Sequence, residues 1–164
     1  MIVASDARVK REFLRHTVAT LAYRGGKVVR GAPDGFGTVR ASETGRSAVE
    51  IVAHLGDLLV WALGLARGQQ KWPDETPQSW DLQVDRFFEG LRRLDELLAS
   101  DEPLGNPPEK LFQGPIADAI NHVGQIAVLR RIAGSPVRGE NYFKAEIAVG
   151  RVGPEQSSKR VEFD

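Results

Sequence analysis

Two of the three histidines in this 164-residue chain stand on stripes that also carry other metal-ligand side chains. Placed at about 100° per residue, Asp118, Asn121, His122 and Gln125 fall on one narrow line of a helix. Ile116, Ile120, Val123, Ile126, Ala127 and Val128 fill the rest of that cylinder, and the polar line itself continues into Leu129 and Ile132. A second segment repeats the arrangement. Glu50, His54 and Asp57 share a line that ends on Trp61, with Ile51, Val52, Leu55, Leu59 and Leu63 on the other faces. Neutral imidazole is the commonest protein ligand for borderline divalent ions, and a carboxylate adds charge. Asp118 and His122, at i and i+4, converge on one ion, with His54 supplied from a facing helix. Such a set holds one side of the ion and leaves the other open to water or substrate.

The same stripes also read as the solvent faces of amphipathic helices, and periodicity alone favours that. Two details weigh the other way. Lys and Glu, common on exposed faces, are nearly absent from the stripes, and both lines run into large apolar residues. Ser47-Ala-Val-Glu50 fits a capping box, so the Glu50 carboxylate has a local task. Asp118 is therefore the expected third ligand, with Glu50 beside the site as the alternative. Asn121 and Gln125 are expected around it. Trp61 reads either as a pocket wall below His54 or as core, and His16, near Thr20 and Tyr23, as a pocket-lining histidine or an ordinary half-exposed one.

Four helical segments position these residues. The first spans about 5–29, where Gly25-Gly26 weakens the last turns and Gly31-Ala-Pro33 ends it. The second opens at Ser47 and stops at Gly68. Thr76 as N-cap with Pro77 behind it starts the third, which runs to Ala99. Gly114-Pro115 opens the fourth and Gly134-Ser-Pro136 closes it. The remainder lacks a sustained period, apart from a short helix expected near 141–147, and Asn141-Tyr142 could reach over the site opening. Arg130 and Arg131 suit the negative pole of the fourth helix. The expected fold is all-α, a four-helix bundle over residues 1–150, with residues 151–164 an irregular, mobile tail.

Composition narrows the function classes. Lys plus Arg and Asp plus Glu number 22 each, which argues against a broad basic surface for nucleic acid. With no cysteine, a disulfide framework and a Cys-based zinc site are both excluded, and any thiol chemistry needs a thiol from another molecule. The first ten residues lack an apolar signal core, and the longest apolar run, 58–66, is too short to span a bilayer. These features predict a cytoplasmic protein with no membrane partner.

The run Asn121-His122-Val-Gly-Gln125-Ile-Ala-Val-Leu-Arg-Arg131 resembles the last bundle helix of the DinB-like (damage-inducible) family of metal-binding four-helix proteins. There the helix typically reads His-x-x-x-His-x-Gly-Gln, the earlier histidine being a ligand. His122 matches the later histidine, Gly124-Gln125 the following pair, and Asp118 stands in place of the earlier histidine. Ser47-Ala-Val-Glu-Ile-Val-Ala-His54-Leu is similar to the segment that supplies the family's remaining histidine. The resemblance covers about 5–134 and tips the two stripes toward a metal site. It implies one divalent ion (zinc, nickel, manganese or iron), a homodimer, and a metal-dependent transferase or isomerase acting on a low-molecular-weight thiol and an electrophilic substrate. The alternative is a non-catalytic metal- or ligand-binding stress-response protein. The aspartate for histidine lowers the net charge of the site and favours harder ions.

Overall fold

The computed structural model describes residues 2–73 and 76–163, with side chains from residue 6 onward; Met1, Asp164 and residues 74–75 lie outside the described residues. The protein is mostly helical, in agreement with the all-α expectation. Its long helices are α1 (Ile2–Val29), α2 (Ala48–Ala66), α3 (Trp80–Ala99) and α5 (Ala117–Ile132), with the short α4 (Pro108–Leu111) leading into α5 through a π-helical turn, Phe112–Ile116. α1 and α2 each pack against both α3 and α5. One apolar core joins the four, with Leu21, Leu55, Phe87, Leu91, Leu94 and Ile126 at 0% exposure.

Local chemistry accounts for most boundaries. Ser47 caps α2 in a full capping box, its hydroxyl accepting from the Glu50 N–H and the Glu50 carboxylate accepting from the Ser47 N–H at 2.6 Å. Gly68, at φ 78°, ends α2 as expected. Gly25 does not interrupt α1. It lets α3 approach, since a Cβ there would lie 2.5 Å from the Phe87 ring.

Two helix starts differ from expectation. α3 begins at Trp80 with Ser79 as N-cap, and Thr76-Pro77 stays in the linker. Trp80 stacks edge-on against buried Phe36 at 5.2 Å, a tertiary contact that sets the start where local capping preference allowed two. The last helical unit starts at Pro108 rather than at Gly114-Pro115, so Pro115 lies inside it. Proline lacks the N–H that an α-helical bond needs and crowds the preceding turn, and the π-helical widening around it accommodates both.

Beyond α5 the chain returns over α1. Strands β1 (Gly139–Glu140) and β2 (Glu162–Phe163) pair antiparallel, a 3-10 turn at Tyr142–Lys144 stands where a short helix was expected, and Val152 joins the core. Glu140 is buried: its carboxylate accepts from the Tyr23 hydroxyl and from Lys27 Nζ at 2.6 Å, and Lys27 also reaches Glu162 at 2.9 Å. Arg130, expected to act only on its own helix dipole, is buried. It makes five hydrogen bonds, to the carbonyls of Val28, Arg30, Gly31 and Ser135 and the Ser135 hydroxyl. It thereby satisfies carbonyls at the end of α1 that have no partner within that helix.

By length and composition alone α2 is apolar enough to cross a membrane, at mean hydropathy 1.6; more than half of it is buried against the neighbouring helices, as in a core helix.

Candidate metal centre

α2 and α5 pack side by side, and their two histidine stripes meet at one place. His54, Asp118 and His122 each offer one ligand atom, and these atoms lie within 4.8 Å of one another. His54 Nε2 stands 3.7 Å from one Asp118 oxygen, and His122 Nε2 stands 3.6 Å from the other. The imidazoles lie edge to face, 4.6 Å between ring centroids. This group could hold a metal ion. Two imidazole nitrogens and a carboxylate oxygen are the donors that zinc, nickel, manganese and ferrous iron accept.

The surroundings fit that task. His122 Nδ1 lies 2.8 Å from Gln125 Oε1, a bond that places the ring proton on Nδ1 and turns Nε2 toward Asp118 and His54. Trp72 covers His54 with its ring centroid 5.6 Å away, and Trp61 packs on Trp72 at 5.4 Å. Burial, then the positive charge of Arg46 and the neighbouring His122, hold the His54 pKa below its ordinary value, with Asp118 opposing. His54 is therefore kept in the neutral form that binds metal. The imidazoles are largely enclosed, at 16% and 12% side-chain exposure, whereas Asp118, at 47%, faces solvent.

The other residues of the two stripes divide. Gln125 orients His122, and Trp61 reaches the site through Trp72. Glu50 stays with its cap and lies 3.7 Å from Arg40, outside the group of three. Asp57, collinear with His54, is taken by Arg86 of α3 at 2.6 Å. Asn121 is exposed on α5. His16 is exposed on α1, its carbonyl accepting from the Thr20 hydroxyl. Tyr142 does not cover the site. Its ring packs on Tyr23 at 6.3 Å and under the Arg24 guanidinium, beside residues 120, 123, 124 and 127 on the opposite face of α5.

Sequence reasoning passed over Trp72 and Arg46. Both sit in loops, where no period signals a direction, and only the chain's path brings them to His54. The chain matches no family model, no curated protein and no solved structure.

Proposed function

We propose that the protein binds one divalent metal ion through His54, Asp118 and His122, and that it is a DinB-like four-helix bundle acting as a metal-dependent thiol transferase or isomerase. The observation that carries the metal reading is the convergence of three ligand atoms from α2 and α5 within 4.8 Å, with His122 already oriented by Gln125. Asp118 at the exposed edge of the group leaves the solvent side free for a second molecule. The lack of cysteine agrees with a nucleophile brought by a cosubstrate.

When bound, the ion would supply Lewis acidity that lowers the pKa of a thiol held next to it. The chain's own part is to position and shield. His54 and His122 present neutral nitrogens, Gln125 holds the His122 tautomer, Asp118 balances charge, and Trp72 keeps water from one side of His54.

Elemental analysis of protein purified without a histidine tag should find about one equivalent of metal, and His54→Ala should lose it. Consumption of a small thiol in the presence of an activated aryl halide should then stop in that variant and in chelator-treated protein. Full turnover in either preparation would sink the catalytic reading. A metal-dependent rise in Tm without turnover for any thiol and electrophile would favour the binding-protein reading instead.

A further inference from the structure

A cleft of about 390 Å³ opens directly beside His122, between the loop 40–47, the first turn of α2 and the outer face of α5. That volume is near the lower end for small-molecule sites, enough for one compact ligand. Ile51, Val128 and Leu129 supply apolar walls; Ile51 and Leu129 are anchored in the core, while Val128 keeps 47% of its surface open.

Three polar residues line the cleft. His122 and Gln125 are engaged with each other. Arg46 makes no hydrogen bond or ion pair among the described residues, and no acidic side chain lines the cleft. The Glu50 carboxylate, on which the charge of Arg46 acts, is bound by the Ser47 N–H and neighboured by Arg40. The loop carrying Arg46 is closed rather than loose. The Ala48 N–H donates to the Val39 carbonyl at 2.9 Å, and the Gly45 N–H to the Ser42 carbonyl at 3.2 Å. A planar guanidinium at the rim of an apolar cleft matches one carboxylate as a two-point fork. A phosphate dianion would leave a charge that one guanidinium does not balance.

We infer that this cleft binds a small organic monocarboxylate, with the carboxylate on Arg46 and an aliphatic body against Ile51, Val128 and Leu129. The inference goes beyond the proposed function and does not depend on it: the cleft is lined by His122 and its partner Gln125, whereas Asp118 and His54 face the other ring nitrogen of His122 and do not line it.

Hexanoate and hexanamide serve as probes, titrated by calorimetry into zinc-loaded wild type, Arg46→Gln and chelator-stripped protein, with metal content measured in parallel. Hexanoate should bind the wild type, hexanamide should bind at least about tenfold more weakly, and Arg46→Gln should erase the difference between them. Hexanoate should also bind the stripped protein, because its carboxylate rests on Arg46. No hexanoate binding, or equal affinity for wild type and Arg46→Gln, overturns the inference. Binding that disappears on stripping and survives Arg46→Gln places the carboxylate on the ion; it overturns the inference and leaves the metal reading intact. Arg46-dependent binding by a wild type that takes up no zinc on loading overturns the metal reading and leaves the carboxylate cleft standing.

Discussion

At the scale of single residues, Gln125 and Asp118 carry the sharpest consequences. Gln125 touches His122 at Nδ1 and sets which nitrogen faces the other ligands. Gln125→Leu keeps the side-chain size and removes that acceptor, so metal affinity should fall by about 10- to 100-fold with little change in Tm of the metal-free protein. Competition with a chromophoric chelator reads it. Asp118→His places a third imidazole in the group and should raise affinity for zinc and nickel relative to manganese, because an all-nitrogen set suits the softer ions. An unchanged preference would mean that Asp118 does not touch the ion. His54 also has a pH signature. Its folded-state pKa lies below the ordinary value of about 6.5, so the unfolded chain takes up the proton first. Its contribution to stability is complete above that value and is lost as pH falls toward the folded-state pKa. The urea midpoint of metal-free wild type should therefore drop more between neutral and mildly acidic pH than that of His54→Gln.

At the scale of elements, the site depends on how α2 is held. The capping box fixes where α2 starts and so which residue stands at the height of His54, and Arg86 of α3 clamps its far side through Asp57 and the Ala53 carbonyl. Gly90 permits the close crossing of α3 on α2, since a Cβ there would lie 2.8 Å from Leu59 Cβ. Gly90→Ala should destabilise by about 1–3 kcal/mol in denaturant unfolding, because Leu59 meets the new methyl with its own Cβ and not with a flexible end. Ser47→Ala should cost about 1 kcal/mol, measured the same way. The cap and the periodic apolar faces of α2, α3 and α5 were legible in the sequence. The start of α3 and the π-helical turn were not, because Trp80 on Phe36 and the room around Pro115 come from tertiary packing.

At the scale of the whole molecule, the returning C-terminal segment is tied to α1 by a buried polar cluster. Burial works against the Lys27 ammonium, but its hydrogen bonds to Glu140 and Glu162 outweigh this and leave its pKa raised. Lys27→Met would leave the Glu140 carboxylate buried without its cation and should cost about 3–5 kcal/mol of stability. Burial, then the bond to Glu140, push the Tyr23 hydroxyl up to about 12. The unfolded chain ionises Tyr23 near 10, so this part of the stability is present below that pH and is lost as pH rises from there toward the folded-state value. Phenolate absorbance in native and urea-unfolded protein tests it: the native titration should lag, and the lag should disappear in Tyr23→Phe.

The sequence by itself determined what lies within a few residues along the chain. Backbone hydrogen bonding repeats every turn, so a helix once started must put Asp118, His122 and Gln125 on one line and Glu50 within reach of Ser47. It also limited the chemistry, since without cysteine the candidate ligands are imidazoles and carboxylates. Tertiary structure alone decided which of those candidates meet. His54 and Asp57 share a line on α2, yet His54 turns to α5 and Asp57 to Arg86 of α3, because two neighbouring helices divide the faces of α2 between them. The pairing of the C-terminal strands over α1, the placement of Tyr142 away from the metal group, and the approach of Trp72 and Arg46 to His54 were decided in the same way. These contacts join segments distant in sequence, and burial of the shared core selects them where local preference has nothing to say.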